Sequence, residues 1–137
     1  SWLSQTRSRL GLEAVAAEDL ELAARFRAAL ETAVKTGDRE AVLELVAPDV
    51  EWVTPQATLQ GVDELRTWRV WGSSAEAFDF EFAEGEWVDH GEGRLDCEVK
   101  QVYRVKETGE LAYERVRRVE VIVRDGKITR YELRFTG

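Results

Sequence analysis

The chain has 137 residues, a formal net charge of −8 at pH 7 and 44% apolar residues, which suits one domain with one core. The negative charge opposes binding to nucleic acid, because that role needs a basic face, and no stretch is long and apolar enough to span a membrane. The single Cys excludes an internal disulfide, so the expected location is the cytoplasm.

Helical spacing of apolar residues marks the start of the chain. Residues 1–17 are weakly patterned and are predicted to form an arm or a short helix, and residues 18–137 are predicted to form a single domain. The first helix of this domain is expected from Glu18 to Thr36, with Gly37 as its C-terminal stop.

A second helix, a strand and a third helix follow. Asp38 is expected to cap the second helix and Pro48 to end it. The predicted buried stripe of this helix consists of Ala41, Val42, Leu45 and Val46. Alternation over residues 49–54 predicts the first strand. Gly61 and Asp63 introduce the third helix. This helix carries Leu65, Trp68 and Trp71.

From Phe78 onward the apolar period changes to two, which is typical of strands. Long strands are predicted over residues 94–105, 111–123 and 128–135. Helices followed by an antiparallel meander indicate an α+β domain with its helices packed on one face of the sheet.

The loops of the meander fix its register. Residues 107–109 and 124–126 each suit a three-residue hairpin loop that ends in a left-handed Gly. The first loop sets Tyr103 opposite Tyr113, Gln101 opposite Arg115 and Val99 opposite Arg117. The second sets Val119 opposite Tyr131, Arg117 opposite Leu133 and Arg115 opposite Phe135. All these odd-numbered residues then share one face.

The even-numbered face supports this register, because it pairs unlike charges across the strands. The predicted pairs are Glu98 with Arg118, Arg118 with Glu132, and Glu120 with Arg130. A two-residue loop of Asp125 and Gly126 would instead set Val119 opposite Glu132 and mix the faces, which a half-buried sheet resists. The odd-numbered face is therefore predicted to be the inner one.

Two arginines are unexpected on an inner face, because a guanidinium group must be paired or solvated. Arg115 and Arg117 lie beside Gln101 and Tyr103, and together they predict a polar, hydrated cavity. The alternative is that both arginines lie at the open rim or pair with carboxylates of the helices.

Aromatic residues are also expected around this cavity. Trp52, Trp68, Trp71 and Trp87 suit the walls of a site for a flat ligand, and core packing is the alternative for each of them. The predicted ligand-binding residues are Trp52, Thr54, Trp68, Trp71, Gln101, Tyr103, Tyr113, Arg115 and Arg117. Arg115 and Tyr103 are the candidates for a catalytic role.

One His and one Cys limit any other chemistry. His90 lies in a Gly-containing turn and is expected to be solvated, and Cys97 is expected inward as a small hydrophobe. Together they cannot supply a usual metal-ligand set, and no phosphate-binding glycine loop is present. Neither a metal nor a cofactor is predicted.

The order and spacing of these elements resemble the NTF2-like superfamily, which includes SnoaL-type polyketide cyclases and ketosteroid isomerases. The resemblance is carried by TGDREAVLELVAPDVEWVTP (36–55), by Gly61 to Leu65 and by RDGKITRYELRF (124–135). It implies a cone with one pocket, built from three N-terminal helices packed on a curved, mostly antiparallel sheet, and it implies a homodimer.

The catalytic groups of such enzymes are not matched in this chain. By resemblance, the general base of ketosteroid isomerases corresponds to Thr54 and their oxyanion-binding Tyr to Leu30. Their second acid falls near Arg115 or Val116, and the last-strand Asp of limonene epoxide hydrolases falls at Leu133.

Two functional hypotheses follow. The first is a protein that binds a small, flat organic ligand whose anionic group is held by arginine, with isomerase, cyclase or hydrolase activity as an extension. The second is a non-catalytic module for dimerisation or regulatory ligand sensing, which the missing carboxylates favour.

Overall fold

The computed structural model describes the backbone of residues 2–68 and 77–135 and the side chains of residues 17–68 and 77–134. The helices are α1 Trp2–Thr36, α2 Glu40–Leu45 and α3 Val62–Thr67, and the strands are β1 Val46–Val53, β2 Thr58–Gln60, β3 Phe78–Glu84, β4 Val88–Asp89, β5 Arg94–Val105, β6 Leu111–Arg124 and β7 Lys127–Phe135. The strands form one sheet in the order β2-β1-β7-β6-β5-β3, and β4 also pairs with β5. Strands β1 and β7 are parallel, and the other pairs are antiparallel. The predicted α+β architecture is confirmed.

Helix α1 covers the sheet with a stripe of small and aromatic residues. Ala23, Phe26 and Ala33 are fully buried, at the spacing expected for one face of a helix. The helix begins at Trp2 rather than at Glu18. The division of the chain at residue 17 stays a prediction.

The second helix is shorter than predicted. It ends at Leu45, and Val46 already has the extended backbone of β1, with φ −100° and ψ 152°. Pro48 disfavours helical geometry only at Ala47, the residue before it, and the extended backbone begins one residue earlier, at Val46. Within the predicted stripe, Val42 is buried as expected, whereas Ala41 is exposed.

The third helix starts where predicted but is shorter, because it ends at Thr67, and Trp68, which was expected within it, has an extended backbone with φ −63° and ψ 127°. Strand β3 starts at Phe78, as predicted. Helix α3 carries the fully buried Leu65, and the half-buried Trp68 is its C-cap residue. Phe80 is buried in β3. Trp71 lies outside the described residues.

The first hairpin has the predicted register. Tyr103 pairs with Tyr113, and Gln101 pairs with Arg115. The loop differs, because the Val105 amide donates to the Glu110 carbonyl and four residues separate them. A bulge after Tyr103 restores the predicted pairing beyond the turn.

The register predicted for the second hairpin is wrong by two residues. Asp125 and Gly126 form the two-residue loop, and both have the positive φ that a type I′ turn requires, 52° and 74°. A bulge between Ile122 and Val123 then shifts the register by one further residue. The observed pairs are Val121 with Tyr131, Val119 with Leu133 and Arg117 with Phe135. The bulge adds Thr129 to β7, so Tyr131 and Leu133 share the inner face with the odd-numbered residues of β6, whereas on the loop side of the bulge the even-numbered Ile128 is buried.

The outer face shows the consequence of this shift. Glu120 lies opposite Glu132 rather than Arg130, and Arg118 lies opposite Arg134. Like charges directly opposite each other destabilise a sheet, and ion pairs along β7 and diagonally between β6 and β7 offset this effect here. Arg130 Nη2 lies 2.7 Å from Glu132 Oε1, and Arg134 contacts both carboxylates.

The inner face is the odd-numbered one, as predicted. Its buried residues include Cys97, Val99, Val119, Val121 and Tyr131. The rings of Trp52 and Tyr131 lie 4.0 Å apart, and the ring of Phe26 on α1 packs edge-on against both. The core therefore lies between α1 and this face of the sheet.

Candidate functional site

A cavity of about 230 Å³ opens between α1, the turn after β1 and the odd-numbered face of β5, β6 and β7. Its described lining contains Leu30, Val34, Trp52, Thr54, Pro55, Gln56, Trp68, Gln101, Tyr103, Tyr113, Arg115, Arg117, Tyr131 and Leu133. Eight of the nine predicted ligand-binding residues are in this lining. The ninth, Trp71, lies outside the described residues. Trp87, the other tryptophan considered for a wall, packs against the core and bonds through Nε1 to the Glu84 carboxylate.

Alternation along the strands explains why the predicted residues meet. Gln101 and Tyr103 on β5 face Arg115 and Tyr113 on β6, so one register places their side chains together. The other wall residues are not among the predicted ligand-binding residues, although alternation places Tyr131 and Leu133 on the predicted inner face. The missing signal for Leu30, Val34, Pro55 and Gln56 is the packing of α1 and of the β1–β2 turn over the sheet.

The two arginines occupy different environments. Arg117 is buried, with 8% of its surface exposed, and its Nε donates to Gln101 Oε1 at 2.9 Å. Burial, and secondly the neighbouring Arg115, lower the pKa of Arg117 below its ordinary value, yet a guanidinium stays charged at neutral pH. Arg115 is exposed at the mouth, where its Cζ lies 4.7 Å from the centre of the Tyr113 ring, a cation–π contact.

Gln101 joins the buried arginine to a tyrosine. Its Oε1 also accepts a bond from the Tyr103 hydroxyl at 3.4 Å. Burial, followed by the nearby Tyr113, raises the pKa of Tyr103 and outweighs the opposing effect of the arginines. Tyr103 is therefore a neutral hydroxyl group near pH 7 that can donate a hydrogen bond.

Aromatic rings form the outer wall of the cavity. The rings of Tyr103 and Tyr113 stack with their centres 4.4 Å apart, and Phe80 packs edge-on against Tyr103 at 4.6 Å. Phe78 contacts both tyrosines edge-on. This stack fixes the orientation of the two phenols that line the cavity.

The Thr54 hydroxyl is already engaged in the turn after β1. It donates to the Ala57 carbonyl at 3.0 Å and accepts from the amides of Gln56 and Ala57 at 3.3 and 3.1 Å. Thr54 therefore contributes surface to the cavity, while its polar atom stabilises the turn.

The described Asp, Glu, His and Cys side chains lie outside the cavity. Among the described lining residues there is no Asp, Glu or His. His90 is exposed, and its Nε2 lies 3.1 Å from Asp96 Oδ2, an even-numbered residue on the outer face. Cys97 is fully buried, which raises its pKa to about 12, so the thiol is inert. In the described part of the chain, no group of three or more His, Cys, Asp or Glu side chains is arranged to hold a metal ion.

A larger groove of about 880 Å³ lies beside the middle of α1 and the loops before β5 and after β6. Its described lining contains Glu18, Asp19, Glu21, Leu22, Arg25, Asp89, Gly91, Glu92, Gly93, Val123, Arg124, Asp125 and Gly126. It is shallow, acidic and without aromatic walls in its described part. The smaller cavity is the better candidate, because ligand sites combine apolar walls with a few convergent polar groups.

The model of the SnoaL-like domain matches residues 23–131, so the chain belongs to the SnoaL-like domain family. Among curated proteins, none matches the chain. The predicted resemblance to NTF2-like and SnoaL-like proteins is confirmed. No described helix has both the length and the apolar content to cross a bilayer.

Solved structures share this fold. An NTF2-like protein from Anabaena variabilis has a TM-score of 0.70 and 17% identity over 88% of this chain and 90% of its own. TerC, co-crystallised with polyporic acid, has a TM-score of 0.64 and 21% identity over 87% and 92%. A protein from Catenulispora acidiphila with a ketosteroid isomerase-like fold, in complex with trimethylamine, has a TM-score of 0.60 and 15% identity over 81% and 85%. At these identities the likeness concerns the fold.

The catalytic positions implied by the resemblance can now be located. Leu30, Thr54 and Leu133 all line the cavity, and so does Arg115. The first three carry no titratable group. At these four positions the cavity wall therefore has one guanidinium group and no carboxylate.

Proposed function

We propose that this protein binds a small, flat organic anion in the cavity between α1 and the sheet. One observation carries the proposal: the described lining contains the two guanidinium groups of Arg115 and Arg117 and no carboxylate. Arg117 is also desolvated and lies near a second cation. An anion would offset both unfavourable effects and could accept paired hydrogen bonds from a guanidinium group.

The size of the cavity limits the ligand. Its volume of about 230 Å³ exceeds the roughly 150 Å³ that accepts benzene and is below the roughly 300 Å³ typical of drug-sized ligands. Aromatic walls favour a ring over a flexible chain. An aromatic acid with a single ring meets both conditions, and the organic acid crystallised with TerC supports an acidic ligand in this fold.

The protonation state of Tyr103 favours a binding role over a role as general base. A general base must be deprotonated, and the raised pKa of Tyr103 keeps its hydroxyl protonated. Binding without catalysis suits a regulatory ligand sensor. A second candidate is isomerase or cyclase activity, in which Arg115 stabilises an enolate and Tyr103 donates a proton. The position of both side chains in one wall favours this alternative.

The proposal is tested by calorimetric titration with benzoate, using benzyl alcohol as the neutral control. Benzoate should bind and benzyl alcohol should bind at least about tenfold more weakly, since charge-assisted hydrogen bonds contribute about 1.5–3 kcal/mol. Arg115→Ala should weaken benzoate binding by a similar factor. Arg118→Ala, on the outer face of the same strand, is the matched control. Equal effects of the two variants would refute the site.

Two further properties remain predictions. The family resemblance implies a homodimer, and sedimentation at several protein concentrations would measure its formation. The expected cytoplasmic location requires localisation in the source cell.

A further inference from the structure

We propose that Gln101 sets the charge preference of the cavity, so that it accepts head groups that are anionic hydrogen-bond acceptors, such as carboxylates and enolates, over neutral amides. This inference rests on the proposed function and specifies the ligand class of the same site. It concerns Gln101 as a positioning residue, acting through Arg117.

Two side-chain oxygens of the cavity wall already accept hydrogen bonds from the protein itself. An amide oxygen has two lone pairs, and Gln101 Oε1 accepts from Arg117 Nε at 2.9 Å and from Tyr103 Oη at 3.4 Å. Thr54 Oγ1 is likewise engaged within its own turn. These two oxygens cannot readily serve a ligand that donates hydrogen bonds, whereas the amide nitrogen of Gln101 and the guanidinium groups are donors only.

The bond between Gln101 and Arg117 also affects the charge of the cavity wall. Gln101 holds the Arg117 guanidinium through a neutral oxygen, so it fixes the position of the cation and leaves its charge intact. A glutamate at this position would have the same size and would place a carboxylate within ion-pair distance of Arg117. The anion-binding character of the wall therefore depends on one amide group in place of one carboxylate.

The test compares benzoate with benzamide, which differ mainly in the charge and hydrogen-bonding of the head group. Wild-type protein should bind benzoate at least about tenfold more tightly than benzamide. Gln101→Glu should weaken benzoate binding by about tenfold or more while changing benzamide binding by less than about threefold. The affinity ratio should therefore collapse. Gln60→Glu makes the same chemical change on exposed β2, outside the described lining, and should leave the ratio unchanged.

The possible failures can be told apart. If the wild type binds benzoate but Gln101→Glu keeps the wild-type ratio, the role of Gln101 is overturned and the proposed function stands. If the wild type binds neither probe, both are overturned. A purely structural role would weaken both probes equally, which also contradicts the inference. If Gln101→Glu does not fold, as judged by circular dichroism, the ratio is measured with Gln101→Met. Loss of the benzoate preference in that variant supports the inference, and an unchanged ratio contradicts it.

Discussion

Arg117 on β6 donates through Nε to Oε1 of Gln101 on β5 at 2.9 Å, although its direct cross-strand partner is Val99. This diagonal bond holds a buried cation against the inner face of the sheet. The register of the β5–β6 hairpin therefore determines where the Arg117 cation lies in the cavity.

Removing the Arg117 charge should reduce binding more than it reduces stability. Arg117→Met keeps much of the side-chain volume and removes a desolvated charge beside Arg115, so the free energy of unfolding should fall by less than about 1 kcal/mol or rise. Benzoate affinity should fall at least tenfold, by about 1.4 kcal/mol or more. Urea unfolding and calorimetry measure the two quantities. A loss of more than about 3 kcal/mol in stability with unchanged affinity would show that Arg117 is structural.

The ion pair between α1 and β3 should stabilise the packing of the helix on the sheet. Arg27 is buried, and its Nε donates to Glu84 Oε2 at 2.8 Å. Because removal of one partner leaves a partly buried charge, Arg27→Met should lower the free energy of unfolding by about 2 kcal/mol. Lys35→Ala is the control on the same helix, since Lys35 is exposed and should contribute less than about 0.5 kcal/mol.

A double-mutant cycle isolates the Arg27 interaction. With Glu84→Gln as the second substitution, the measured coupling should be about 1 kcal/mol. Additive effects of the two substitutions would mean that the pair does not contribute as a pair.

Acid stability should depend on Asp96. Burial alone would raise the pKa of this carboxyl group, but hydrogen bonds from His90 and Arg118 outweigh burial and lower it. A carboxyl group whose pKa is lower in the folded state adds stability above its unfolded pKa of about 3.9 and loses that contribution as the pH falls further. Asp96→Asn should therefore cost about 1 kcal/mol at neutral pH and progressively less below about pH 4.

The measurement for Asp96 is chemical denaturation of wild type and variant from neutral to acidic pH. Asp79→Asn, on the exposed face of β3, controls for the loss of one carboxylate. A difference between wild type and Asp96→Asn that does not change with pH would rule out this linkage.

The bulge between β6 and β7 can be tested through Gly93, which contacts Val123, the β6 residue beside the bulge. Gly93 and Gly126 both have positive φ, 76° and 74°. A Cβ at Gly93 would clash with the Val123 carbonyl oxygen, and the Gly93 carbonyl accepts the Val123 amide at 2.8 Å, whereas a Cβ at Gly126 would meet no atom within 4 Å. Gly126→Ala should cost about 1–2 kcal/mol from backbone strain alone, and Gly93→Ala should cost at least about 1 kcal/mol more. Equal melting temperatures for the two variants would contradict the close contact at the bulge.

The sequence predicts which face of the sheet is buried, but it does not predict the full register of the strands. A two-residue Asp125-Gly126 loop mixes the two faces unless a bulge accompanies it, and the structure has such a bulge opposite Ile122 and Val123. The bulge leaves one small trace in the sequence, since Ile128 and Tyr131, both buried, lie three residues apart in β7 rather than two or four. The inner face was nevertheless predicted correctly, because the register error was an even number of residues.

For the cavity, the sequence predicts which strand residues meet, but it does not predict their burial or their hydrogen bonds. Alternation was enough to bring Gln101, Tyr103, Arg115 and Arg117 together, because these residues lie on neighbouring strands. Alternation could not distinguish the buried Arg117 from the exposed Arg115. It also could not show that the Thr54 hydroxyl is engaged in its turn. These properties depend on how helices and loops cover the sheet, which is a tertiary effect.

The most direct test is a crystal structure with 4-bromobenzoate, in which anomalous scattering locates the bromine atom. If the cavity is an anion site, the bromine atom should lie inside it and the carboxylate should lie within hydrogen-bond distance of Arg115 or Arg117. A ligand found only in the acidic groove beside the middle of α1, or on the outer face of the sheet, would contradict this site.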